Sequence, residues 1–379
     1  MIYFDNSATT QLYPQALDTF VKVSQQVFGN PSSLHKLGTV ADRLLQQSRQ
    51  QVADLLKVSP QEIFFTSGGT EGDNWIVKGT AIEKKGFGRH IITTTIEHPA
   101  VSKSMQQLEQ LGFDVTYLEV DERGLISVAD LKDAIREDTI LVSIIAVNNE
   151  VGAVQPIQEI GDVLVDYPTI HFHIDAVQAV TEFDNLIPHP RVDFLVLSAH
   201  KFHGPRGVGI VYKKQGRRLA PLLTGGGQES GQRSTTENIA GIAATAKALR
   251  MTLEARETSK ENEGQIKDHI RQFLSSYDNV QIYSQEDGAA HILCFALQDV
   301  RGEVMVHALE EENIIISTTS ACSSKKGELP ATLEAMHVPA KWSKCAVRLS
   351  FGEGNTLAEA DQFIQVFKQL HEKFKVIQK

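Results

Sequence analysis

An amine and a carboxylate stand at the ends of two apolar runs of this chain. Ser198-Ala199-His200-Lys201 follows DFLVL and precedes Gly204-Pro205-Arg206-Gly207. An amine at a strand end, beside a histidine, can form a Schiff base with a carbonyl cofactor. A lone lysine is more commonly a surface residue in a turn, so a second feature has to decide. Asp175 ends the apolar run IHFHID, where an unpaired carboxylate is costly. A buried acid there suits the protonated pyridine nitrogen of pyridoxal phosphate (PLP), which makes the ring an electron sink. Gln178, three residues on, can reach a ring substituent or stand as an ordinary helix-surface amide.

Other polar clusters follow apolar runs in the same way. Thr66-Ser67-Gly68-Gly69-Thr70-Glu71 comes after EIFF. Glycines let the backbone approach a ligand closely, and a helix N-terminus suits a phosphate. A plain strand-to-helix turn capped by Thr70 explains the same residues equally well. The cluster is neither the nucleotide P-loop nor the dinucleotide fingerprint. His98, in Glu97-His98-Pro99-Ala100, can stack on a flat ring, move protons, or simply start a helix. Arg348 alternates with apolar residues in Val347-Arg348-Leu349-Ser350-Phe351. It is a natural fork for a substrate carboxylate, or an exposed residue on the polar side of an edge strand.

Cysteine usage is uneven. Cys294 and Cys345 sit in apolar runs, HILCFAL and KCAVRLSF, and read as buried, inert strand thiols. Cys322 lies among Ser, Thr, Lys and Gly in STTSACSSKKGELPAT, which reads as a mobile loop. Lys325 and Lys326 favour its thiolate, the nucleophilic form. An exposed free thiol without a task is a liability that soluble proteins avoid. Three cysteines make no disulfide framework, in keeping with a reducing compartment. No metal-ligand set is assigned.

The elements that must position these residues alternate. EIFFTS, HIITTT, DVTYLEV, ILVSIIAV, IHFHID, DFLVLSAH and GVGIVYK read as strands, separated by helical spacing at 70–85, 99–111, 128–136 and 157–165. Such alternation predicts an α/β fold with a mostly parallel sheet and helices on both faces. Ligands then bind beyond the carboxyl ends of the strands, where the polar clusters fall. After about Gly216 the pattern changes. A glycine-rich loop at 224–231 leads to a long helix at 236–274. VQIYS, HILCFAL, a helix at 302–312, NIIIS, RLSF and a C-terminal helix from Leu357 follow. These predict a smaller α+β unit, with the segment before Pro14 packed on it or across the cleft.

At 379 residues, two domains are expected. A hydrophobic share of 41% and a charged share of 22% are those of a soluble globular protein. The net charge of −10 argues against nucleic acid or an anionic membrane as the main partner. The N-terminus lacks a signal-peptide pattern, and there is no run of about 18 apolar residues. A cytoplasmic location is the expectation.

In sum of motifs the chain resembles the cysteine desulfurases of the NifS/IscS type, in the class-V aminotransferase-like branch of PLP enzymes. The resemblance spans almost the whole chain. It is carried by FDNSATT, GNPSSLHKLG, TSGGTEGDN, EHPAV, NNEVGAVQPI, HIDAVQAV, SAHKFHGPRGVG, GGGQESGQRSTTEN, SACSS and RLSFG. It implies the PLP-dependent transferase fold type I, with a large PLP-binding domain at 14–257 and a small domain made of 1–13 and 258–379. It implies that Lys201 holds PLP as a Schiff base, Asp175 pairs with the ring nitrogen, Gln178 approaches the ring hydroxyl and His98 stacks over the ring. Gly69, Thr70, Ser198 and His200 would bind the phosphate. Thr236 would reach the phosphate of a neighbouring subunit in a homodimer. Asn149, beside the cofactor, and Arg348 would hold the carboxylate of L-cysteine. Cys322 would take the sulfur as a persulfide and pass it to an acceptor protein. Iron–sulfur assembly, tRNA thiolation and cofactor sulfuration are all compatible with the chain. The alternatives are another class-V enzyme, such as a selenocysteine lyase or aminotransferase, or a catalytically silent scaffold. GTVADRL and SSKKGELP depart from the family's usual form, and the longer tail of scaffold-binding members does not follow Lys379.

Overall fold

The first thirteen residues tie two sheets together before any helix forms. Strand β1 (Ile2–Tyr3) is followed by helices α1 (Pro14–Gln26) and α2 (Lys36–Leu56), neither of which the strand-and-helix reading had marked. Both pack against the long helix α7 (Ile239–Leu274). The structure is a computed structural model and describes residues 1–319 and 329–377.

All seven apolar runs are strands of one sheet. They are β2 (Ile63–Thr66), β3 (His90–Thr94), β4 (Asp114–Leu118), β5 (Thr139–Ile145), β6 (His171–Asp175), β7 (Phe194–Ser198) and β8 (Gly209–Lys213), in the order β2-β8-β7-β6-β5-β3-β4. Strand β5, TILVSII, is buried at every residue, as befits a central parallel strand covered on both faces. Only β8 runs against its neighbours, β2 and β7. Four helices separate these strands, namely α3 (Gly69–Lys84), α4 (Pro99–Gln110), α5 (Val128–Ala134) and α6 (Ile157–Val165). The chain leaves β3 toward β4 at one edge and leaves β5 toward β6 in the other direction. The crevice between β3 and β5 is therefore the topological switch point where α/β proteins bind ligands.

A second, antiparallel sheet has the order β12-β13-β10-β9, from β9 (Val280–Ile282), β10 (Ile292–Leu297), β12 (Ser317–Thr318) and β13 (Ala346–Ser350). Its apolar core joins Phe4, Phe295, Phe351, Phe363 and Phe367, with α8 (Gly302–Glu311) and the C-terminal helix Leu357–Ile377 alongside. The run NIIIS does not form one strand. Ile314–Ile315 (β11) pairs with β1, and Ser317–Thr318 pairs with β13. The long helix begins at Ile239 and not at residue 236, because the Asn238 side chain accepts from Gly241 N and caps it.

Two readings of the cysteines and arginine change here. Cys294 is a fully buried strand residue. Cys345 is buried but not in a strand: it closes the turn after helix Ala340–Ser343, one residue before β13. Its backbone N donates to Trp342 O, which bends the chain just where a strand would have to start. Arg348 is not on an edge, since β13 lies between β12 and β10, and it is only 5% exposed.

Candidate active site

Five loops meet at the carboxyl ends of the main sheet. Thr66 and Ser198 both pair with Gly209, so the loops after β2 and β7 leave the sheet side by side. A Cβ on Gly209 would stand 2.5 Å from Thr66 Oγ1 and 2.6 Å from the Gly68 carbonyl carbon. Only glycine permits that closure. Gly69 starts α3 with the same tightness: a Cβ there would meet Val177 Cγ2 at 2.9 Å and Ser198 Cβ at 3.4 Å. The N-terminal turn of α3 is thus pressed against the residues that follow β6 and β7. Ser198 is buried, and Thr70 is exposed at the first turn.

Asp175 ends β6 and Lys201 closes the short turn Ala199–Lys201 after the parallel neighbour β7. Asp175 is 4% exposed, and its Oδ1 accepts from Val177 N at 3.0 Å. Burial raises its proton affinity, while the charges of His98 and Lys201 pull it down. Lys201 Nζ donates to the carbonyls of Ser7 and, at 3.0 Å, of Ala8. The N-terminal segment therefore aims the lysine. It runs from Asp5, bridged to Ser350, through Ser7 N, which donates to Ser350 Oγ at 2.8 Å, to Thr10 N, which donates to His200 O at 2.9 Å.

His98 caps α4, its Nδ1 accepting from Ala100 N at 3.1 Å. An imidazole that accepts at Nδ1 carries its proton on Nε2. Burial lowers its pKa, Asp175 opposes that, and Lys201 adds to it. His200 is pushed down to about 4 by burial and then by Lys201 and Arg206, and its Nδ1 lies 3.2 Å from Thr9 Oγ1. Gln178 is buried and not a surface amide. Its Nε2 donates to Ser7 O at 3.0 Å and its Oε1 faces His291 Nε2 at 3.3 Å.

Arg348 reaches the same place from the second sheet. Nη1 donates to Asn149 O at 2.8 Å and Nη2 to Asp5 Oδ1 at 3.0 Å, while Nε has no partner among the described residues. A buried guanidinium with a donor to spare suits a carboxylate ligand. Asn149 itself follows β5 at the switch point. One of the described residues remains apart. Thr236 is exposed, in the loop before α7. Cys322, with Lys325 and Lys326, lies outside the described residues.

Sequence reasoning missed Asp5, Ser7 and Ala8, whose partners lie at 201 and 348. It also missed Arg233, which grips Glu71 through Nε at 2.6 Å and Nη2 at 2.8 Å. That pair braces the glycine-rich loop against α3, whose Glu71 Oε2 also accepts from Ser67 N at 2.8 Å. FDNSATT and GQRSTTEN were the signals available, but neither string says which partner its residues will meet.

These residues fit PLP. The crowded Gly69 leaves a bare helix N-terminus for a phosphate. The buried carboxylate of Asp175 needs a cation, which a pyridinium supplies. The half-buried Lys201 offers the amine. Fold and site together define a PLP enzyme of fold type I.

Comparison with known proteins names the family. The aminotransferase class-V family model matches residues 2–363. A "NifS/IcsS protein homolog" from Lactobacillus delbrueckii subsp. bulgaricus is 54% identical over 100% of this chain and 99% of its own. A "Cysteine desulfurase IscS" from Clostridium botulinum is 39% identical over 97% of this chain and 94% of its own. Among solved structures, a "NifS-like protein" superposes with a TM-score of 0.92 at 35% identity, over 98% of this chain and 99% of that one. One of "SspA in complex with cysteine" gives 0.83 at 32% identity, over 93% and 99%. The chain belongs to the class-V aminotransferase family, and within it to the NifS/IscS cysteine desulfurases.

Proposed function

We propose that this chain takes sulfur from L-cysteine with PLP, releasing L-alanine and leaving a persulfide on Cys322 for an acceptor protein. The observation that carries the reading is the placement of Asp175 at the end of β6 and Lys201 in the turn after the parallel neighbour β7, close enough for the lysine's charge to act on the carboxylate. Bound PLP supplies an electron sink for the substrate's α-carbon. Lys201 holds it through Nζ and afterwards moves the α-proton. Asp175 would keep the ring nitrogen protonated, Gln178 would serve the ring hydroxyl, and His98 would cover the ring and offer its Nε2–H for proton movement. Gly69, Thr70, Ser198 and His200 would hold the phosphate, and Thr236 of a homodimer's second subunit would join them. Arg348 and Asn149 fix the substrate carboxylate.

The Cys322 thiolate attacks the substrate sulfur. The S–S bond forms as the Cβ–S bond breaks, the electron pair of that bond stays with Cβ, and Cβ takes a proton to give alanine. Residues 14–257 act as the PLP-binding domain and 1–13 with 258–379 as the smaller one, a division supported by the separate apolar core of the second sheet. A cytoplasmic location accords with the three-cysteine composition, and no helix among the described residues is long and apolar enough to cross a membrane.

Alanine release from L-cysteine tests the reading, measured with the cofactor's visible absorbance. Lys201→Ala is expected to abolish alanine release and change the absorbance. Cys322→Ala is expected to keep the absorbance and lose the persulfide. Sulfide made at full rate by Cys322→Ala would remove the assignment and favour a lyase, and loss of the amino group with the sulfur left on carbon would favour an aminotransferase.

A further inference from the structure

Three carboxyl groups are buried close enough to feel one another's charge, and only one can be an anion at low cost. Asp175, Glu97 and Asp73 are 4%, 7% and 1% exposed. Glu97 precedes His98, and its Oε1 accepts from Thr94 Oγ1 and from Ile145 N, both at 2.8 Å. Ile145 is the cross-strand partner of Asp175, and Ala146 N donates to Asp175 O at 2.8 Å. The Glu97 carboxyl thus sits one hydrogen-bonded residue away from Asp175. Its other oxygen, Oε2, is buried without a partner among the described residues. Leaving an ionised oxygen unpaired inside a protein costs far more than leaving a hydroxyl unpaired. Asp73, on α3, faces Glu97 and Asp175, and its Oδ1 stands 3.4 Å from His173 Nε2 without hydrogen-bond alignment. The cation near the trio is Lys201, which acts on Asp175, as does His98 when it is protonated.

We propose that Glu97, with Asp73, stands as a neutral carboxylic acid and leaves Asp175 the single anion facing the cofactor's ring nitrogen. Glu97 is a positioning residue that acts through Asp175 and His98. The assignment rests on the reading that Asp175 pairs with that nitrogen. Burial pushes Glu97 up to about 8, the nearby Asp175 charge adds to this, and the two donors on Oε1 oppose it. Below that pH the trio carries one negative charge. Above it a second charge appears beside Asp175 and tightens the hold of Asp175 on a proton.

Infrared spectroscopy of the holoenzyme against Glu97→Gln tests this. At neutral pH the wild type is expected to carry a protonated-carboxyl C=O stretch that the variant lacks, fading as the pH rises through about 8. The visible absorbance of the bound cofactor is expected to show an inflection near the same pH in the wild type and none in Glu97→Gln. A wild-type-minus-variant difference with a carboxylate band at neutral pH overturns the proposal. Thr94→Val removes one donor to Oε1 and is expected to move the fade to higher pH. A fade at the same or lower pH overturns it, and this variant serves alone if Glu97→Gln does not fold. Asp175→Asn separates the two readings: an unchanged cofactor absorbance there defeats the role of Asp175 while the infrared result on Glu97 stands by itself.

Discussion

Arg348 and Asp5 form a partly buried ion pair, Nη2 to Oδ1 at 3.0 Å, that joins the last strand of the second sheet to the N-terminal segment. The guanidinium that would receive the substrate carboxylate is therefore already half neutralised and held in orientation. Lysine has donors to offer but not the planar fork that sets two of them side by side toward a carboxylate. Arg348→Lys is expected to raise KM for cysteine by roughly tenfold to a hundredfold, the value of one or two charge-assisted hydrogen bonds. Steady-state kinetics with the cofactor saturated checks this, and an unchanged KM refutes the carboxylate role.

Asp5→Asn keeps a hydrogen-bond acceptor but removes the charge. Arg348 then presents its full charge to the substrate, while the N-terminal segment that aims Lys201 is held less firmly. The expected outcome is a lower KM together with a lower kcat. A fall in kcat without any change in KM would mean that Asp5 does not modulate the guanidinium.

Gly69→Ala places a methyl group 2.9 Å from Val177 Cγ2 and 3.4 Å from Ser198 Cβ. Overpacking of this kind costs about 1–3 kcal/mol. It should also widen the phosphate cradle, so PLP is expected to dissociate more readily. Equilibrium dialysis of PLP and the Tm of apo and holo protein measure the two effects separately. Equal PLP retention in variant and wild type would place the phosphate elsewhere.

Glu182 gives a pH dependence of known sign. Burial would raise its pKa, but the hydrogen bond and charge of His291, followed by Lys260, outweigh this and hold it at about 2. A carboxyl depressed in the folded state stabilises the fold above its ordinary pKa and loses that contribution as the pH falls toward 2. The gap to the ordinary value of 4.5 corresponds to about 3 kcal/mol at neutral pH. Glu182→Gln is expected to be less stable than wild type at pH 7, with the two curves converging in acid. Denaturant midpoints across pH measure it, and a constant difference at all pH values would rule the mechanism out.

What the sequence determined alone was local. Apolar runs of strand length, each followed by a polar cluster, mark β2, β3, β5, β6 and β7 and the loops that carry Gly69, His98, Asn149, Asp175 and Lys201, because period and punctuation are short-range properties. The site's principal residues were legible for the same reason: each stands directly after a strand. What only the tertiary structure decided was pairing over long separations. That the carbonyls of Ser7 and Ala8 hold Lys201, that Asp5 meets Arg348, that Arg233 braces Glu71, and that β8 inserts antiparallel between β2 and β7 depend on which surfaces bury each other. Arg348 could be read as an edge residue because alternation shows which face a side chain is on, not whether another strand covers it. The neutral state of Glu97 is likewise invisible in EHPA, since it comes from burial and from two carboxyl groups brought beside it by α3 and β6.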